Sequence, residues 1–119
     1  MSGNASVRET LSALVITANE ERNIRDCLST LSFAGEIVVV DSGSADGTAR
    51  IASEEFGARV FVNPWPGYGA QKNFGMDRAK GDWVLIVDAD ERVTPELREE
   101  TLALLSGGGA ERASAYAIP

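Results

Sequence analysis

Short apolar runs alternate with helix-forming stretches along this 119-residue chain, and that alternation constrains the fold more than any other feature. The runs cover residues 10–17, 36–40, 59–62 and 83–87, the second with four β-branched residues in succession, Ile37 to Val40. Strands buried on both faces read as continuous apolar runs of this kind. After the first run, Ile24, Cys27, Leu28 and Leu31 recur at the spacing of one helical stripe, with Asn19 placed as N-cap, Glu20 and Glu21 behind it, and Gly35 closing the unit. After the second, Ser44 or Asp46 is placed to cap a helix that turns Ile51, Ala52 and Phe56 inward and ends at Gly57. A third helix is expected over 70–80, with Gly81 in the left-handed position after it. Thr94-Pro95-Glu96 starts a fourth, running to about residue 105 with Leu97, Leu102, Leu104 and Leu105 as its apolar side. Strands alternating with helices predict an α/β fold: a mostly parallel, twisted, Rossmann-like sheet with helices on both faces and right-handed crossovers. The unit spans 10–106, between a tail at 1–9 and a Gly-rich break with a partial strand at 107–119.

Composition narrows the chemistry. Eighteen acids against eleven bases give a net charge of −7, which argues against non-specific nucleic-acid binding. An anionic small ligand stays compatible where a metal or backbone amides meet its charge. With no histidine, Ser-His or Cys-His catalysis and histidine-held zinc are ruled out within this chain. The lone cysteine, Cys27, has no internal disulfide partner, fits a cytoplasmic protein, and falls on an apolar helix face as a small core residue. No apolar run approaches the ~20 residues that span a bilayer, and the N-terminus lacks the order of a signal peptide.

In open parallel sheets, ligands bind beyond the carboxyl ends of the strands. Three polar segments fall on that edge: residues 17–21, 41–48 and 88–91. Asp88 and Asp90, one small residue apart, are hard oxygen ligands suited to sharing a divalent cation. Taken alone, such a tripeptide reads as a strand end, since Asp is common in turns; its companions at the same edge favour a site. Asp41 is placed to accept from a ribose hydroxyl or a base N–H, whereas Ser44 and Asp46 are as well explained by capping. Lys72, early in the third helix, either meets a phosphate or lies on a solvated face. Glu91 is placed to cap or orient its neighbours. Trp65 and Tyr68 either stack on a ligand or pin their loop.

Together, Thr17-Ala18-Asn19-Glu20-Glu21, Val40 through Thr48, Lys72-Asn73-Phe74-Gly75 and Gly81 through Asp90 resemble, in order and spacing, the motifs of family-two glycosyltransferases of the inverting GT-A type. The segment from Asn63 to Phe74 is similar to a narrower group, bacterial glucosyl- and heptosyl-type transferases of the lipopolysaccharide core. The resemblance covers about Leu11 to Glu91, the nucleotide-sugar-binding half. It implies that Thr17, Ala18, Glu20, Asp41, Ser42, Lys72, Asp88 and Ala89 bind the nucleotide, with Asp90 and Asp88 holding Mg2+ or Mn2+.

By the same resemblance, the donor is a nucleoside-diphosphate sugar, UDP-type favoured, and the hexose or heptose passes with inversion to a glycan or lipid acceptor. The location it implies is cytoplasmic, at the inner face of the membrane. Many members carry an aromatic residue at the place of Ala18 and a second Asp at that of Ser42, so the nucleotide's identity stays open. The family's catalytic base lies well downstream of Asp90; the chain runs only about 30 residues further, and Glu99, Glu100 and Glu111 have nothing to recommend them. The base is therefore expected outside this stretch, and the alternative is a non-catalytic nucleotide-binding fragment of the same fold, with a second copy as one partner able to cover the last partial strand. A dehydrogenase is a poor fit, because residues 17–22 hold no glycine. An aspartate-nucleophile phosphatase is equally poor, because its acids would stand on the first strand.

Overall fold

A computed structural model describes residues 11–106 and 116–117. Strands β1 (Leu11–Thr17), β2 (Glu36–Asp41), β3 (Arg59–Val62), β4 (Trp83–Asp88) and β5 (Tyr116–Ala117) alternate with helices α1 (Glu21–Ser29), α2 (Thr48–Phe56), α3 (Tyr68–Arg78) and α4 (Pro95–Ser106). The sheet is parallel throughout, in the order β3-β2-β1-β4-β5. The strand order reverses at β1, which pairs Ile16 with Val40 on one side and with Asp88 on the other. All seven residues of β1 are buried, the polar Ser12 and Thr17 along with the apolar ones, as a strand covered on both faces requires.

Alternation along the strands sends side chains to two cores. Leu11, Ala13 and Val15 meet Ile24, Cys27 and Leu28 of α1 and Ile51 and Ala52 of α2, with Leu97, Leu102 and Leu105 of α4 packed alongside. Leu14, Val38, Val40, Val84 and Ile86 face the other way, onto Phe74 and Met76 of α3. Helices therefore cover both faces of the expected α/β sheet. Thr94 caps α4 through its hydroxyl, which accepts the Leu97 N–H at 3.1 Å, and Pro95 opens the helix. Residues 1–10, 107–115 and 118–119, including the expected tail, the first residue of the first run and the Gly-rich break, lie outside the described residues; of the expected partial strand, Tyr116–Ala117 are described, as β5.

Several local expectations are corrected. Asn19 is not the cap of α1; it takes a left-handed φ of 53°, Glu20 is the capping residue, and the Asn19 side chain accepts the Ala45 N–H at 2.8 Å. Ser44 does not cap α2 either, because its hydroxyl is spent on Asp41 and on the Asn19 N–H. Asp46 does serve that end, accepting the Thr48 N–H at 3.0 Å. α3 begins at Tyr68, two residues early, because Gly67 (φ 111°) offers its carbonyl to the Gln71 N–H at 2.9 Å. It ends at Ala79, in extended backbone, so Gly81 is no left-handed cap and instead donates its N–H to the Ser12 hydroxyl at 2.8 Å. Leu104 is 42% exposed, since Thr101 takes the inward place on that turn of α4.

Candidate functional site

A cleft of about 290 Å3 opens at the carboxyl ends of β1 and β4, where the strand order reverses. One wall is the end of β1, with Ile16, Thr17, Ala18 and Glu20; Ser42 extends it from β2. Asp88, Ala89 and Asp90 form the opposite wall, and Trp65 and Tyr68 overhang from the β3–α3 loop and the first residue of α3. Seven of the residues expected from sequence thus line one cavity.

The acid wall is held by its neighbours. Asp88 donates its N–H to the Glu91 carboxylate at 3.0 Å, and its carbonyl accepts the Glu91 N–H at 2.9 Å. Glu91 therefore orients the turn, as expected of it. The thiol of Cys27, fully buried, approaches the same Asp88 carbonyl at 3.6 Å. Burial pushes that thiol up to about 12, so it is neutral and inert in the folded chain. Arg92 ties the Asp90 carbonyl (3.1 Å) to Asp26 of α1, and the Val93 N–H meets the Thr30 hydroxyl at 3.0 Å. Asp88 is half-buried and Asp90 exposed, so the two acids differ in access.

Two expected residues stand outside the cleft lining. Asp41 is 1% exposed, and both its oxygens are occupied: Oδ1 by the hydroxyls of Thr17 (2.7 Å) and Ser44 (2.6 Å), Oδ2 by the N–H groups of Gly43 (3.0 Å) and Ser44 (2.7 Å). A carboxylate offers about four acceptor positions, so in this form none is left for a ribose. Burial pushes its carboxyl up, and the four donors together outweigh that and hold it below the usual range. Asp41 braces the floor from beneath. Lys72 lies one turn into α3, half-buried, with its ammonium 4.6 Å above the Tyr68 ring.

Gln71 was legible only as part of a helix start, yet it braces the β2 wall. Wholly buried, it donates to the Asn63 carbonyl at 2.9 Å and the Ser42 hydroxyl at 3.3 Å, and accepts from the Asn63 amide at 2.7 Å. No signal in the sequence marks such a residue. Trp65 and Tyr68 stood out as aromatics between prolines and glycines, without a choice of role; the tyrosine hydroxyl reaches Asp88 Oδ1 at 3.0 Å.

Two carboxylates at one strand end are the donor set a hard divalent cation prefers. Among the described residues, no group of three acids, cysteines or histidines could hold a metal ion unaided. Asp88 and Asp90 fit an ion that takes its remaining oxygens from a phosphate ligand and water, as Mg2+ commonly does.

A parallel sheet with this strand order, whose switch-point cleft carries an acid pair and an aromatic overhang, belongs to the GT-A class of α/β folds. Residues 12–114 match the model of glycosyl transferase family 2, and the chain belongs to that family. It is 41% identical over 100 residues to the lipopolysaccharide core biosynthesis glycosyltransferase LpsC of Rhizobium meliloti, covering 81% of this chain and 37% of that protein. S. aureus TarS, solved as residues 1–349 with UDP-GlcNAc, superposes with a TM-score of 0.67 at 28% identity over 82% of this chain and 31% of its own. Glucosyl-3-phosphoglycerate synthase from Mycobacterium tuberculosis, solved with Mn2+, UDP and glucosyl-3-phosphoglycerate, gives 0.59 at 28% identity, over 70% and 35%. The chain spans about two fifths of the length of the curated relatives it matches.

Proposed function

We propose that residues 10–106 form the donor-binding part of a glycosyltransferase that moves a hexose or heptose from a nucleoside-diphosphate sugar to a glycan or lipid acceptor with inversion. One observation carries this reading: Asp88 and Asp90 face Thr17, Ala18, Glu20 and Ser42 across a single cleft at the strand-order switch. The nucleoside lies along the β1 and β2 wall, and the diphosphate lies at the β4 end. Asp90, the exposed acid, and Asp88 would hold Mg2+ or Mn2+, and the ion would supply positive charge beside the diphosphate. Thr17 and Ser42, fixed by Asp41 and Gln71, shape the nucleoside wall.

UDP is the favoured nucleotide, supported by the UDP compounds bound to TarS and to the mycobacterial synthase. A lipopolysaccharide-type acceptor, and hence work in the cytoplasm at the inner membrane face, is supported by the name of the Rhizobium relative. Among the described residues no helix is long and apolar enough to cross a membrane, which fits peripheral association. Glu99 and Glu100 are exposed on α4, away from the cleft lining, and Glu111 lies outside the described residues; no catalytic base is assigned.

Calorimetric titration with UDP, GDP and their sugars, with and without Mn2+, tests the proposal. The expected result is Mn2+-dependent UDP binding that Asp90→Asn weakens at least tenfold, about 1.4 kcal/mol. Absence of binding to every nucleotide overturns it. Donor hydrolysis or transfer then separates an enzyme from a binding module.

A further inference from the structure

Tyr68 occupies a junction that the binding reading leaves unexplained. It is the first residue of α3, set there by Gly67 at φ 111°. That helix packs chiefly over β1 and β2, with Val84 and Ile86 of β4 in the same cluster as Leu14, Val38 and Val40, whereas Asp88 ends β4 on the far side of β1. The hydroxyl crosses this gap and donates to Asp88 Oδ1 at 3.0 Å. Among the described residues, Asp88 Oδ2 receives no hydrogen bond. One turn along, the Lys72 ammonium lies 4.6 Å over the Tyr68 ring, within the range at which a cation is attracted to an aromatic face. Trp65 flanks the same ring at 6.3 Å, tilted by 34°. Both aromatics stay about half exposed, Trp65 at 55% and Tyr68 at 45%, although each lines the cleft.

Resting on the proposed donor site, we infer that Tyr68 is a positioning residue for its diphosphate end: the hydroxyl fixes one oxygen of Asp88 and leaves the other open, while the ring holds Lys72 beside the acid wall. The residue thereby joins two charges of opposite sign into one arrangement. The acid faces a cation, and the ammonium is held one side chain away from the phosphates that the cation accompanies. This accounts for Lys72 standing just outside the cleft lining. Its charge is delivered through Tyr68 and needs only a small swing of a flexible stem to meet an anion. The nucleoside wall, built by Thr17 and Ser42, does not depend on this arrangement.

The test uses the 119-residue chain and two ligands, UDP with Mn2+ and UMP in chelator, with affinities from calorimetry and ligand-observed NMR. Tyr68→Phe keeps the ring and removes the bond to a charged acceptor, so affinity for UDP–Mn2+ is expected to fall roughly fivefold to tenfold with UMP affinity unchanged. Tyr68→Leu also removes the perch of Lys72 and is expected to lose a further severalfold. In an Asp88→Asn background, Tyr68→Phe is expected to add nothing. Equal UDP–Mn2+ affinity for wild type and Tyr68→Phe overturns the inference, and so does an equal loss for UDP–Mn2+ and UMP, which marks a merely structural residue. A wild-type chain that binds neither ligand overturns the donor-site reading itself, and this inference with it.

Discussion

Asp41 shows how one side chain organises two loops it does not belong to. Its four hydrogen bonds tie the end of β1, through Thr17, to the turn that follows β2, through Gly43 and Ser44. Gly43 takes a φ of 101° there, a conformation that favours glycine, and no other atom crowds it. Ser44 passes the connection on to the Asn19 N–H, at 2.7 Å. Asp41→Asn keeps the shape but turns an amide N–H2 toward donors, leaving buried groups unsatisfied. Its expected cost is about 3 kcal/mol, read as a lower urea midpoint at neutral pH with the slope unchanged. Loss under about 0.5 kcal/mol would contradict the role given to it here. The sequence marks Asp41 as functional because it ends a strand at the ligand edge. What it cannot mark is that the acid's four hydrogen bonds come from three residues of the fold, one of them 24 residues away.

Among the helices, α3 is the one that reaches the cleft, with Tyr68 in its lining and Gln71 bracing Ser42 from the same first turn. Gly75 sets how closely that helix approaches the sheet: a Cβ there would lie 2.5 and 2.8 Å from the two methyls of Leu14, which is itself fully buried. Two opposed effects decide the outcome of Gly75→Ala. Helix propensity favours alanine by about 1 kcal/mol, while overpacking a closed core costs about 1–3 kcal/mol. The expected net is a destabilisation of about 1 kcal/mol, and in a Leu14→Ala background the sign reverses, because the obstructing methyls are gone. Thermal or urea unfolding of the four chains reads both effects; destabilisation that persists in the double variant would show that close approach is not the cause.

The strands and helix faces were legible because period and run length are local properties: Ile24, Cys27 and Leu28 are buried as their spacing implies. Apart from the exposed Leu104, the errors in the helices fell at their ends. Asn19, Ser44 and Gly81 each bond to a partner from another part of the chain, and no local pattern announces such competition. The site followed the same division. That the acid pair and the end of β1 share one edge was legible once the polar segments at the strand ends were taken together, while the bracing by Gln71 and the bridge from Tyr68 to Asp88 depend on how α3 lies across the sheet.

For the molecule as a whole, the two buried or half-buried acids that clamp opposite ends of the sheet govern behaviour in acid. Glu36, at the start of β2, accepts from the Lys80 N–H (2.6 Å), the Ser12 hydroxyl (2.6 Å) and Arg59 (2.7 Å). Burial pushes its carboxyl up, yet these donors outweigh burial and hold it below the usual range, as with Asp41. A carboxyl lowered in the folded state contributes stability above its unfolded value and loses it as pH falls through the folded one. The urea midpoint is therefore expected to stay level from neutrality to about pH 5 and to fall steadily below about pH 4. Glu36→Gln and Asp41→Asn should each flatten that fall, and an unchanged acid profile in both would refute the assignment.

The strand order has a consequence in time. β1 lies at the centre of the sheet, with β2 on one side and β4 on the other, but the ribosome delivers those neighbours far apart. β2 ends at Asp41 and β4 begins at Trp83, a difference of 42 positions. At about 5–20 residues per second, the residues of β4 follow those of β2 out of synthesis by roughly 2–8 seconds, and one edge of the mostly apolar β1 has no partner until they arrive. The acids of the opposite wall arrive with the strand that closes that edge, so the cleft cannot be complete before β4 is made.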